Sequence, residues 1–199
     1  MTVRLPVWLV AAALTAVAAG ADPAQDAATA AIEQTLDRIV EVLRDGELED
    51  EARRVRVEEI AYTRFDFDTI ARLVLARNWK SLSAEQRDQF ILEFKRHLSG
   101  SYWRTLDDYR DEKVEVTGSR LARNGDVTVR SRIVGADTPS PILIDYRMRQ
   151  RGDDWAVIDV IIESVSLVQN FRSQTQEIIS DVGVDQLIEQ LRKKNAKRG

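Results

Sequence analysis

The stretch Ile142-Leu143-Ile144-Asp145-Tyr146-Arg147-Met148-Arg149, then Gly152, then Trp155-Ala156-Val157-Ile158-Asp159-Val160-Ile161-Ile162, decides the fold class. In its first part Ile142, Ile144, Tyr146 and Met148 alternate with Asp145, Arg147 and Arg149. Successive side chains of a strand point to opposite faces, so this reads as a half-buried strand. Gly152 turns the chain into a second strand, Trp155 to Leu167. There Trp155, Val157, Ile161 and Val165 share one face, and Ala156, Ile158, Val160 and Ile162 the other. A strand apolar on both faces is central or is covered on both sides.

Outward from this pair the pattern repeats upstream. Val114 and Val116 alternate with Glu115 and Thr117. Asn124-Gly125 is a hairpin turn signal, and Val127, Val129 and Ile133 follow with Thr128 and Arg130 between them. Pro139 and Pro141 mark the next connection. The reading is an antiparallel sheet of about four strands.

Helices flank this sheet in the chain. Ile32, Leu36, Ile39, Val40 and Leu43 form one helical stripe, which Gly46 stops. Glu49 to Tyr62 reads as a charged helix with a thin apolar side at Val55 and Ile60. Asp66 or Asp68 can cap a short helix holding Ile70, Leu73 and Val74. Ser83-Ala84-Glu85-Gln86 is a capping box. It opens the longest helix, about Ala84 to Tyr109, striped by Phe90, Ile91, Phe94, Leu98, Tyr102, Leu106 and Tyr109. Beyond the sheet come helices at about Val168 to Val182 and, after Gly183, one holding Val184, Leu187, Ile188 and Leu191. Helices, then strands, then helices predict an α+β fold.

The first residues stand apart. Arg4 precedes the apolar run Leu5 to Ala19, and Ala19-Gly20-Ala21 is a small-x-small pattern before Asp22. This is the layout of a secretory signal peptide, residues 1–21. A run of about 15 apolar residues falls short of the roughly 20 that span a bilayer. Residues 22–199 then form a single domain. The net charge of −4, one unit more negative without Arg4, gives no general attraction to nucleic acid or to anionic lipid. There is no cysteine, and a core of this size needs no disulfide.

Catalytic and metal motifs are sparse. His97 is the single histidine and sits at the border of the long helix's stripe, where a structural role is expected. No H-E-x-x-H, cysteine cluster, Ca²⁺ loop, G-x-S-x-G elbow or glycine-rich phosphate loop occurs. Ser164 and Ser166 read as strand-end or helix-capping residues. Asp66/Asp68 and Asp107/Asp108 read as capping or solvated acids. Asp159 differs, because it falls within an apolar run. Buried there, its carboxylate needs a partner, with Arg147 or Arg149 on the preceding strand as candidates.

Several motifs taken in order resemble one family. They are Phe65-Asp66-Phe67-Asp68-Thr69-Ile70-Ala71-Arg72, Arg77-Asn78-Trp79, Ser83-Ala84-Glu85-Gln86-Arg87 with Phe90, Trp155-Ala156-Val157-Ile158-Asp159-Val160 with Ile162-Glu163-Ser164-Val165-Ser166-Leu167, and Asn170-Phe171-Arg172. Together they resemble the MlaC-type, or toluene-tolerance, proteins along nearly the whole of residues 22–199. One departure is Ser164, where the family usually has glycine before Val-Ser. The resemblance implies a monomeric periplasmic phospholipid carrier of Gram-negative bacteria, and no enzyme. It shuttles lipid between an outer-membrane lipoprotein complex and an inner-membrane ABC transporter, which maintains outer-membrane lipid asymmetry. It needs no cofactor beyond the phospholipid cargo and no metal.

The apolar stripes alone would equally make a close-packed core. With the resemblance they become the walls of a lipid cavity: Phe90, Phe94, Leu98, Tyr102 and Leu106 on the long helix, and Val129, Ile133, Ile144, Tyr146, Met148, Trp155, Val157, Ile161 and Val165 on the sheet. Arg147 and Arg149 are candidate phosphate partners, with the head group largely in water. Two alternatives remain open at this point. One is a cone-shaped α+β enzyme with Asp159 as general base and Tyr146 or Tyr109 as hydrogen-bond donor. The other is a protein-only periplasmic adaptor whose stripes are all core.

Overall fold

The computed structural model describes residues 22–107, 112–135 and 140–197, and within these the side chains of residues 102 and 104–107 fall outside the description. The expected leader, Asp108 and Tyr109 lie outside the described residues. Three helices come first: α1 (Pro23–Arg44), α2 (Asp50–Arg64) and α3 (Phe67–Leu75). A 3-10 turn (Ala76–Ser81) leads into α4 (Ala84–Asp107). The sheet follows as β1 (Lys113–Leu121), β2 (Val127–Val134), β3 (Ile142–Arg151), β4 (Asp154–Ile162) and the two-residue β5 (Val165–Ser166). Helices α5 (Leu167–Val182) and α6 (Val184–Ala196) end the chain. The strands pair antiparallel in the order β1-β2-β3-β4-β5. The α+β expectation holds, with a short fifth strand added.

The helix ends follow local chemistry. The Asp66 carboxylate accepts the Thr69 N–H at 2.9 Å and caps α3. Ser83 and Gln86 close the capping box in both directions, at 3.1 and 3.0 Å. Ser166 caps α5 through the Gln169 N–H at 3.1 Å. Each cap satisfies an N–H that the first helical turn leaves without a partner.

Two features overturn the reading of Trp155 to Leu167 as one alternating strand. The chain reverses at Glu163 (φ 47°) and Ser164 (φ 69°), both left-handed, so that β5 runs back along β4. Upstream, Arg147 pairs with Asp159 but Met148 pairs with Val157, which leaves Ile158 as the extra residue of a β-bulge. One inserted residue exchanges the faces of everything beyond it. Trp155 and Val157 therefore share the inner face with Val160 and Ile162, while Asp159 and Ile161 turn to the outer one.

The apolar interior has two parts. One lies among α3, the first half of α4, α5 and α6, around Leu75, Phe90, Phe94 and Leu187. Phe90 and Phe94 stack with ring centres 5.4 Å apart, and Phe94 meets Phe171 edge-on at 5.1 Å. In the other, Ala28 and Ile32 of α1 cover Val127, Val129, Met148, Trp155 and Val157 on the inner sheet face. Phe65 joins them, bridging to Val157 while the Asp66 N–H donates to the Val157 carbonyl at 3.0 Å.

Candidate functional site

Beyond the packed part of α1 around Ala28 and Ile32, a hollow opens between α1 and the sheet. The cavity has a volume of about 280 Å³. It lies between the second half of α1, α2, the later part of α4 and the far end of the inner sheet face. Helix α1 contributes Leu36, Ile39, Val40 and Leu43; α2 contributes Val57, Ala61 and Tyr62; α4 contributes Leu98 and Trp103. The sheet contributes Val114, Ile133, Ile144, Tyr146, Val160 and Ile162. Leu36, Ile39, Leu43, Leu98, Ile133, Ile144 and Ile162 are each only half-buried although they face inward. In a close-packed interior such side chains would be covered. The surface they leave open is the cavity wall.

Of the residues expected to line a lipid cavity, Leu98, Ile133, Ile144 and Tyr146 lie at this wall. The structure places the other described ones elsewhere. Phe90 and Phe94 belong to the separate core among α3, α5 and α6, because α4 reaches the cavity only with its later turns. Val129, Met148, Trp155 and Val157 share the cavity's sheet face but are sealed beneath α1. Ile161 turns outward after the bulge, and Val165, in the short returning strand, is 54% exposed. The side chains of Tyr102 and Leu106 lie outside the description. The stripe Leu36, Ile39, Val40 and Leu43 was visible in the sequence, but nothing there assigned it to the cavity; the apolar side of α2 expected at Val55 and Ile60 is not the one at the wall, which is Val57, Ala61 and Tyr62.

The polar groups of the wall are tied to the protein itself. Arg64 donates from Nε to the Thr35 hydroxyl at 3.0 Å, and from Nη1 to the Asp154 carboxylate at 2.8 Å and the Trp155 carbonyl at 2.7 Å. It thus pins α2 to α1 and β4. The Tyr62 and Ser99 hydroxyls lie 2.6 Å apart and join α2 to α4. Burial pushes the Tyr62 hydroxyl's pKa up, the Ser99 bond opposes this, and the Glu58 charge adds to it. Burial pushes Tyr146 up to about 12, against a hydrogen bond with Ser131. Ser131 in turn donates to the Ile144 carbonyl at 3.1 Å. Tyr146 is thus neutral at physiological pH, and the open part of its ring adds to the apolar wall.

Among the described residues, Asp159 and Tyr146 form no acid–base pair in the cavity. Asp159 accepts the Ser166 hydroxyl at 2.6 Å and the Val168 N–H at 3.1 Å. These bonds, rather than an arginine, compensate its burial. It lies on the outer sheet face, whereas Tyr146 lies on the inner one, so the two do not meet. Arg149 is engaged elsewhere, holding Asp126 through two hydrogen bonds at 2.7 and 2.9 Å. Arg147 stands opposite Asp159 in the ladder, also away from the cavity. Neither arginine is at the cavity wall. His97 is buried, with its ring edge-on to Phe171 at 5.8 Å. Among the described residues no group of three His, Cys, Asp or Glu is placed to hold a metal ion, and no helix is long and apolar enough to cross a membrane.

Residues 33–193 match the family model described as MlaC protein. A curated relative is the intermembrane phospholipid transport system binding protein MlaC of Haemophilus influenzae, 29% identical over 118 residues. That match takes in 58% of this chain and 55% of the relative, so it spans about half the relative's length. A solved structure, the phospholipid-binding protein from Ralstonia solanacearum in complex with a phospholipid, superposes with a TM-score of 0.77 at 26% identity. The superposition covers 85% of this chain and 97% of that one.

Proposed function

This chain belongs to the MlaC protein family, and on that premise we propose that it carries a phospholipid with its tails in the cavity between α1, α2 and the inner sheet face. The observation that carries the reading is the hollow itself, walled by half-buried aliphatic side chains from facing elements. An acyl chain in water costs about 0.8 kcal/mol per methylene, so two tails of about 15 carbons cost roughly 24 kcal/mol. Passage of a free lipid through water is then negligible. A wall about as apolar as a bilayer interior makes uptake and release nearly neutral, and docking can decide the direction of handover. The named functions of both relatives, phospholipid transport and phospholipid binding, support this assignment.

In this reading the protein is a carrier rather than a catalyst, and its only small molecule is its cargo. It works in the periplasm, exported by residues 1–21, between an outer-membrane lipoprotein complex and an inner-membrane ABC transporter. Both encounters are transient, and the result is maintained outer-membrane lipid asymmetry. The volume of about 280 Å³ lies just below the roughly 300–1,000 Å³ of small-molecule pockets. Loading of a two-tailed lipid therefore needs the helical wall and the sheet to part, with the head group left in water.

Organic extraction of the purified protein followed by mass spectrometry tests the assignment. Phospholipid near one molecule per chain is the expected result. Protein that contains none, and takes none up from labelled vesicles, would overturn the carrier reading.

A further inference from the structure

We propose that the surface formed by α3, the 3-10 turn, the start of α4 and the flank of α5 docks an acidic protein surface. The chain holds 33 acids against 29 lysines and arginines, yet Thr69 to Ala84 contains no acid and carries Arg72, Arg77 and Lys80. Ser164 to Gln176 also contains no acid and carries Arg172. The fold sets these two segments side by side. Arg172 donates to the Leu73 carbonyl at 2.7 Å, Gln176 to the Leu75 carbonyl at 3.0 Å, and Asn78 to Gln176 at 3.0 Å. Two carboxylate-free stretches, far apart in the chain, thus merge into one cationic face.

The cations of this face are uncompensated and partly preset. Arg72, Arg77 and Lys80 are exposed. Neither they nor Arg87 form an ion pair with any described residue, although Asp68, Glu85 and Asp88 lie on the same helices. The guanidiniums of Arg72 and Arg87 lie 5.4 and 5.1 Å from the centre of the Trp79 ring. Arg87 also donates to the Trp79 carbonyl at 3.2 Å. A guanidinium held on an aromatic face loses less freedom when its edge meets a carboxylate, and the planar fork suits that acceptor.

A lipid surface fits less well. Among the described residues, one exposed large apolar side chain, Val165, falls within the two segments, and none between Thr69 and Arg87. Interfacial binding requires such side chains to insert. The inference does not depend on what the cavity holds.

The full-length protein would be titrated with a short fluorescein-labelled peptide of alternating glutamate and glycine, at low and at physiological salt. The expected result is salt-sensitive binding that R72E/R77E/K80E weakens roughly tenfold or more. The control K194E/K197E, which reverses charge at the C-terminal end of α6 and its cap, should leave binding unchanged. Among the described residues the Arg77 and Lys80 side chains find no hydrogen-bond partner, so R77E/K80E serves if the triple variant loses its circular-dichroism signature. Equal weakening in the control, or binding indifferent to the reversals, would overturn the proposal. So would absence of peptide binding with co-sedimentation on phosphatidylglycerol vesicles that the triple variant loses. Retained lipid in the variants separates this outcome from failure of the carrier reading.

Discussion

Glu163 and Leu143 complete a strand pair with a side chain in place of a backbone group. The Glu163 N–H donates to the Leu143 carbonyl at 3.0 Å, and the Leu143 N–H donates back to the Glu163 carboxylate Oε1 at 2.6 Å. The chain turns away from β3 at this point, so no backbone carbonyl is left for Leu143, and the carboxylate substitutes. The bond holds the end of β3 against a left-handed turn just beyond the cavity residues Ile144 and Ile162.

Glu163→Ala should therefore lower stability by about 1 kcal/mol, the usual net worth of one such bond in a solvated setting. Ser164→Gly should act in the opposite sense. A Cβ in the left-handed region costs roughly 1–2 kcal/mol, and the unfolded-state freedom of glycine offsets part of that gain. Urea denaturation should show a lower midpoint for the first variant and a higher one for the second. A lower midpoint for Ser164→Gly would contradict the assigned turn.

Charges placed on the cavity wall should exclude lipid. Ile144→Asp and Leu98→Asp put a carboxylate against an apolar lining, where an unpaired charge is strongly disfavoured. Val165→Glu places one on a side chain that is already 54% exposed. Co-purified phospholipid should be lost from the first two and kept by the third. Loss from Val165→Glu with retention by Ile144→Asp would move the lipid to another part of the molecule.

Arg64 should behave as a structural clamp that charge alone cannot replace. Arg64→Lys keeps the cation but loses the forked geometry that reaches Thr35, Asp154 and the Trp155 carbonyl together. The expected cost is about 1–2 kcal/mol, as two hydrogen bonds are lost. Hydrogen exchange should report earlier opening of α2 than of β4. A variant as stable as the parent would show that α2 is held elsewhere.

The pair Asp126 and Arg149 sets a pH dependence. Burial pushes the Asp126 carboxyl up, but the Arg149 hydrogen bonds and charge, with help from Asn124, outweigh it and hold the group below its ordinary range. A carboxylate depressed in the folded state stabilises fully above its unfolded pKa of about 3.9. That stabilisation is lost as the pH falls through the folded value. Arg149→Met should cost about 1–2 kcal/mol at pH 7, modest for a buried acid because the guanidinium is itself 45% exposed. The gap between parent and variant should narrow in denaturation curves taken toward pH 3. A constant gap would mean that the arginine acts through packing alone.

Much of the fold was legible because it depends on local rules. Ser83 and Gln86 announce the start of α4, and the Asp66/Asp68 pair the start of α3. The alternation around Ile144 and Tyr146 gives β3, and Asn124-Gly125 its upstream hairpin. The wall of the cavity was legible only in part. Leu98, Ile133, Ile144 and Tyr146, expected as lining, lie at the hollow, whereas Phe90 and Met148, expected there by the same reading, pack solidly. Periodicity reports which face of an element is covered and is silent on what covers it.

What the sequence determined by itself is the α+β class, the order of elements, their caps and their apolar faces, since each follows from the chemistry of neighbouring residues. Only the tertiary structure decided where the interior is filled and where it is hollow. The bulge at Ile158 exchanges Ile161 for Val160 and Ile162 at the wall, and α1 covers Met148 while Ile144 lines the hollow. Both depend on how strand pairing and helix placement compete for the same side chains in three dimensions, a balance that no short stretch of residues carries.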